Sequence, residues 1–116
     1  MDQIVIEYDG AVAIFRLNRP PVNAVDLAFA RALEAAFVPL VDAGGARALV
    51  VTGMGRCFSA GLDLKLVPRY SAEEQRAMVT ALNRVLAKLY ACPLPVVGAI
   101  NGHAIAGGLI LALACD

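Results

Sequence analysis

Neither sign of charge prevails in this sequence. Ten Lys and Arg residues are matched by ten Asp and Glu, so there is no basic field of the kind that holds nucleic acid or an anionic bilayer. Cysteine is sparse and odd in number: Cys57, Cys92 and Cys115 show neither C-x-x-C spacing nor neighbouring histidines, His103 being the only one. This excludes a disulfide framework and a zinc site and points to a reduced, cytoplasmic protein without a metal. The start, Met1-Asp2-Gln3-Ile4, lacks the basic flank and apolar stretch of a signal or transit peptide. No run approaches the roughly 20 apolar residues that span a bilayer. The longest, Ala104 to Cys115, is interrupted by Gly107-Gly108 and reads as a buried helix. Motifs for bound nucleotides are missing as well: neither G-x-G-x-x-G nor G-x-x-x-x-G-K-[ST] occurs. Ser59 follows Cys57-Phe58 rather than sitting in G-x-S-x-G, which argues against a serine hydrolase.

Apolar residues, by contrast, are abundant. They make up 59% of the 116 residues, with a mean hydropathy of +0.68, a surplus that calls for a partner surface in a chain this short. Ile4–Tyr8 and Val12–Leu17 are β-branched and aromatic runs joined by Asp9-Gly10, which predicts a hairpin. Leu27, Ala30, Leu33, Phe37 and Leu40 recur at helical spacing, with Pro39 expected to kink or end that helix. Ala48–Thr52 and Val96–Ile100 have the form of strands buried on both faces. Ser71-Ala72-Glu73-Glu74 fits a capping box ahead of Met78, Leu82, Val85, Leu86 and Leu89, predicting a helix to about Tyr90. The expected order is ββαβαβα, an α/β layer in one domain over residues 1–116. The apolar stretch to Asp116 carries no exit loop or cap, so the chain reads as cut, and alone it is expected to be inactive and to associate through exposed apolar surface.

Two segments share one form: Phe58-Ser59-Ala60-Gly61-Leu62-Asp63-Leu64 and Asn101-Gly102-His103-Ala104-Ile105-Ala106-Gly107-Gly108. Each follows a strand and turns through glycine, leaving backbone N–H groups free to face a ligand. Two such donors aimed at one point make an oxyanion hole. Either loop alone is more often close packing or a turn than a ligand site.

Together, with Leu17-Asn18-Arg19-Pro20-Pro21-Val22-Asn23-Ala24 before them and Ala114-Cys115-Asp116 after, the loops resemble the signatures of the crotonase (enoyl-CoA hydratase/isomerase) superfamily. The resemblance covers essentially the whole chain. It implies a ββα superhelical spiral, here cut before its second half, acting on acyl-CoA thioesters as a homotrimer or dimer of trimers. No cofactor is implied, since coenzyme A is part of the substrate. By position, the backbone N–H groups of Leu62 and Gly107 become the oxyanion donors. Ala24, Ala60 and Lys65 fall where family members line the CoA surface, with Lys65 placed toward the nucleotide. Asp63 falls in the substrate loop and is expected to fix it by hydrogen bonds, and His103 lies beside the pocket. Family hydratases carry a glutamate three residues after the oxyanion glycine; here that residue is Ile110. The aliphatic residue resembles the family's Δ3,Δ2-enoyl-CoA isomerases, whose glutamate lies farther along, beyond Asp116. Hydration and acyl-CoA binding without turnover remain the alternatives.

Overall fold

A computed structural model describes residues 2–42 and 44–116. The hairpin forms as expected: β1 (Ile4–Asp9) and β2 (Val12–Leu17) pair antiparallel from Ile4 opposite Leu17 to Asp9 opposite Val12. Gly10 takes the left-handed φ of +59° that closes the turn. Along β2 the residues alternate, Ala13, Phe15 and Leu17 being buried, the two-residue period of a strand with one face on a core. Next to β2 lies β3 (Ala48–Gly53), parallel to it, and next to β3 the parallel strand β5 (Val96–Ala99). The sheet order is therefore β1-β2-β3-β5. Two parallel joins require crossovers, and the helices supply them.

Helix α1 (Leu27–Asp42) buries Phe29, Ala30, Leu33, Phe37 and Leu40, and α2 (Ala72–Tyr90) buries Met78, Ala81, Val85 and Leu89. The two pack together and share one core with Phe15, Leu17, Leu49 and Val51 of the sheet. The Phe15 and Phe37 rings meet edge to face, with centroids 6.1 Å apart. Asp26 caps α1 by accepting from Phe29 N–H (2.8 Å). The predicted capping box of α2 is complete: Ser71 Oγ accepts from Glu74 N–H (3.1 Å) and Glu74 Oε1 from Ser71 N–H (3.0 Å).

One expectation is narrowed and three are corrected. Pro39 does not end α1, which continues to Asp42; Pro39 is exposed, as is Ala35, whose carbonyl loses its helical donor but remains open to water. Neither β3 nor β5 is buried on both faces. Val50 is half-buried, and Val97, on the outer face of the edge strand β5, is 56% exposed. Two short strands carry no readable period and escape sequence reasoning: β4 (Cys57–Ser59) and β6 (His103–Ala104) form a separate parallel pair. Finally, the apolar run beginning at Ala104 is not one buried helix. Its first residue belongs to β6, and α3 spans only Gly107–Leu113, with Gly108 and Leu111 buried but Leu109, Ile110 and Leu113 exposed. The last residue folds back onto the sheet, Asp116 N–H donating to Val96 O (2.8 Å) and Asp116 Oδ2 accepting from Val96 N–H (2.9 Å).

Candidate functional site

The loop after β4 is held by the segment that follows β2. Ala60 N–H donates to Val22 O (2.9 Å), Val25 N–H to Gly61 O (2.8 Å), and Asp63 N–H to Val25 O (2.8 Å). This is a parallel bridge between Val25 and Leu62. In such a bridge Val25 bonds to the residues on either side of Leu62, so the N–H and C=O of Leu62 itself face away from Val25. Among the described residues the Leu62 N–H has no hydrogen-bond partner.

Sequence reasoning missed the side chains that brace this bridge. Asn23 is fully buried at a left-handed φ of +51°, a conformation asparagine tolerates better than most side chains. Its Nδ2 lies 2.9 Å from Cys57 O, 3.0 Å from Phe58 O and 3.2 Å from Met54 O, while its Oδ1 accepts from Arg19 N–H (2.9 Å). Ser59 Oγ, also buried, donates to Asn23 O (2.8 Å) and accepts from Gly61 N–H (3.2 Å). Arg19 reaches across the same loops, Nη1 donating to Ala24 O (2.6 Å) and Nη2 meeting Asp63 Oδ2 (3.0 Å) and Asp26 Oδ2 (3.1 Å). An asparagine inside a proline-rich loop was the one available signal for this network.

Asp63 makes the hydrogen bonds expected of it: besides Arg19, its Oδ1 accepts from Lys65 N–H (3.0 Å). Desolvation pushes the Asp63 carboxyl up, but the Arg19 hydrogen bond, the Lys65 N–H, the Arg19 charge and the Leu66 N–H together hold it below its ordinary range. The carboxyl is therefore ionised at neutral pH. Burial and the neighbouring Asp116 charge push the Cys115 thiol up, away from the reactive thiolate form.

The second loop is built against the first. Asn101 Oδ1 accepts from Gly53 N–H (3.0 Å) and its Nδ2 donates to Gly55 O (2.8 Å), seating the turn beneath β3. After β6, Ile105 N–H donates to Ser59 O (3.0 Å). Ala106 then turns the chain into α3 at φ +51°, ψ −115°, a conformation alanine rarely adopts. Two of the glycines that close approach requires hold the loops together. A Cβ on Gly108 would strike Ser59 O, and one on Gly61, where φ is +84°, would lie 2.9 Å from both Gly107 N and Ile105 O. The backbones at Gly61 and Gly107 therefore touch, and Gly107 N–H, like that of Leu62, has no hydrogen-bond partner among the described residues.

Both residues border one cavity of about 420 Å³. Ala60 and Leu62 line it from the first loop, Ile105 and Gly107 from the second, Val79, Leu82 and Leu86 from α2, and Ile110 from α3. Asn83 is the only polar side chain in the lining, and no titratable side chain contributes among the described residues. Of the residues picked out from the sequence, Ala60, Leu62 and Gly107 are thus brought together. Ala24, Asp63, Lys65 and His103 do not line the cavity: Ala24 and Asp63 are engaged by Arg19, and Lys65 and His103 are exposed.

The sequence profile described as enoyl-CoA hydratase/isomerase matches residues 7–116. The chain belongs to the enoyl-CoA hydratase/isomerase family. Within that family, a Thermus thermophilus protein provisionally named an enoyl-CoA hydratase is 42% identical over 111 residues, covering 92% of this chain and 44% of its own length. The crotonyl-CoA hydratase of Syntrophomonas wolfei is 31% identical, over 99% of this chain and 45% of its own. Human mitochondrial delta3-delta2-enoyl-CoA isomerase superposes with a TM-score of 0.90 at 32% identity, over 98% of this chain and 45% of that structure. These matches establish the crotonase fold, and the chain spans a little under half the length of these relatives. Among the described residues, no helix is long and apolar enough to cross a membrane.

Proposed function

We propose that this chain carries the acyl-thioester pocket of an enoyl-CoA isomerase, with the backbone N–H groups of Leu62 and Gly107 as its oxyanion hole. The observation that carries the reading is that Leu62 and Gly107, whose N–H groups have no hydrogen-bond partner among the described residues, line one apolar cavity. A thioester oxygen set between them becomes more basic as an enolate forms, so the donors bind the transition state more tightly than the ground state. The aliphatic wall from α2 accepts the enoyl chain and excludes water. In the isomerisation, a base removes the proton at C2 of a 3-enoyl thioester, the double bond shifts as the enolate collapses, and the same proton inventory is restored at C4. Ile110, which lines the cavity, can neither accept nor deliver a proton, and this favours isomerisation over the water addition that needs two carboxylates. In this reading the base is a carboxylate from outside these 116 residues, and the active assembly is a trimer or a dimer of trimers.

Turnover of 3-hexenoyl-CoA to its conjugated isomer by a full-length protein that includes residues 1–116, set against hydration of crotonyl-CoA by the same preparation, tests the assignment. Isomerisation should exceed hydration by at least about tenfold, a difference of about 1.4 kcal/mol in barrier. Hydration as fast as isomerisation would overturn it in favour of a hydratase, the name carried by the Thermus and Syntrophomonas relatives. Tight binding of acyl-CoA without turnover of either substrate would overturn it in favour of a binding protein.

A further inference from the structure

We infer that Arg19 is a positioning residue for the Leu62 oxyanion donor, acting through Asp63; the inference rests on the oxyanion-hole reading above. Leu62 contributes only a backbone N–H, so its direction depends on what fixes the peptide planes beside it. On one side Gly61 is fixed by its carbonyl bond to Val25 N–H; on the other, Asp63 is fixed by its own N–H to Val25 O and by its carboxylate to Arg19. The guanidinium touches three groups on two pieces of chain: the Ala24 carbonyl and the Asp26 carboxylate that caps α1, and the Asp63 carboxylate. It therefore ties the start of α1 and the 19–26 segment to the residue next to the donor. The site is substantially shielded, with side-chain exposures of 23% for Arg19, 13% for Asp26 and 14% for Asp63, so solvent screens these pairs less than surface ones. A lysine ammonium is a single point donor on a flexible stem and cannot reproduce this planar, three-way grip.

Arg19 and Asp63 do not line the cavity, so loss of the link should alter polarisation of the bound thioester more than its affinity. The probe is hexanoyl-CoA labelled with ¹³C at the thioester carbonyl, a saturated thioester that cannot be isomerised, observed by difference infrared spectroscopy when bound to the protein. In the unsubstituted protein the carbonyl stretch should move to lower frequency. Arg19→Gln should remove most of that shift and lower kcat about 10- to 100-fold, the scale of a misplaced or lost oxyanion donor, while Kd and KM stay within about threefold. Arg19→Lys should recover part of the shift. Asp63→Asn leaves the Ala24 and Asp26 contacts of Arg19 in place, removes the charge of the link and sets an NH2 against one of two donors, Arg19 Nη2 or Lys65 N–H, so it should lose much of the shift likewise and decides the matter if Arg19→Gln does not fold. In the double variant Arg19→Gln/Asp63→Asn, little further loss should appear, because both changes cut one link. A carbonyl shift in the unsubstituted protein that persists undiminished in Asp63→Asn would overturn the role of Arg19 and leave the oxyanion hole standing. No shift in the unsubstituted protein would overturn the oxyanion hole itself, and the inference with it.

Discussion

Replacing Asn23 by alanine should be among the most destabilising single changes available outside the apolar core. Its amide offers two hydrogens to three carbonyls 2.9 to 3.2 Å away, and its oxygen accepts from Arg19 N–H at 2.9 Å, giving three well-formed bonds. With no surface exposure, the abandoned carbonyls of Cys57 and Phe58 have no ready access to water. At about 1 kcal/mol per bond the loss is about 3 kcal/mol, and holding alanine at a left-handed φ adds about 1 kcal/mol. For a chain of this length, 1 kcal/mol corresponds to about 4 °C in Tm. Asn23→Ala should therefore melt about 16 °C lower than the parent. Asn23→Gly loses the same bonds without the φ penalty and should melt about 12 °C lower. The assay is thermal unfolding followed by far-ultraviolet circular dichroism for all three proteins in one buffer. An alanine variant within about 4 °C of the parent, or a glycine variant less stable than the alanine one, would refute the account of Asn23 as the brace of the first loop.

Ala106→Gly should stabilise the fold by about 1 kcal/mol, since relief of a strained backbone worth about 1–3 kcal/mol exceeds the added freedom of the unfolded chain; a lowered Tm would contradict this. Because Asp63 has its folded pKa below its ordinary value, its contribution is complete above the unfolded pKa and is lost as pH falls through the folded one. Tm of the parent should accordingly fall more steeply on the acid side than that of Asp63→Asn, and parallel profiles would exclude a paired Asp63. Gly107→Pro deletes one N–H and should lower isomerisation on the order of 100-fold, with distortion at Ala106 adding to the loss; an unchanged rate removes Gly107 from the machinery. Ile110→Glu should fold with a stability within about 0.5 kcal/mol of the parent, because Ile110 is 52% exposed and a carboxylate there remains hydrated. Cooperative unfolding displaced by several kcal/mol would mean the position is covered in solution.

What the sequence revealed was local. The hairpin turn at Asp9-Gly10, the Ser71–Glu74 capping box and the apolar faces of α1 and α2 each involve residues within a turn or two of one another, so their patterns survive in the linear order. The glycines of both loops are legible for the same reason, and the family signature alone singles out Ala60, Leu62 and Gly107, which line the cavity. The pairing of β4 with β6 was not legible, because strands of three and two residues are too short to show alternation and are held by partners 46 residues apart, Cys57 opposite His103. Asn23, Ser59 and Arg19 act on backbone atoms that sequence neighbours do not supply, and nothing about an arginine announces that it will grip a carbonyl and two carboxylates. Ala106 defied expectation more directly: propensity argues against alanine at positive φ, and tertiary contacts on both sides overrule it. Lys65 and His103 were singled out by family position, and in the fold both are exposed and off the cavity wall.

The contact between Gly61 and Gly107 also has a bearing on how this scaffold can be altered. Because the two segments meet main chain to main chain at Gly61 and Gly107, their spacing is set by atoms that every amino acid shares, and side chains act on it only from behind, through braces such as Arg19 and Asn23. The cavity wall is another matter: Val79, Leu82, Asn83 and Leu86 come from a separate helix, and their replacement redraws the space for a guest while leaving the polarising pair undisturbed. On the proposed oxyanion-hole reading, evolution, or a laboratory library confined to those four positions, can thus exchange one guest for another on one polarising anchor. Chemical diversity would then accumulate in the wall long before it reached the anchor.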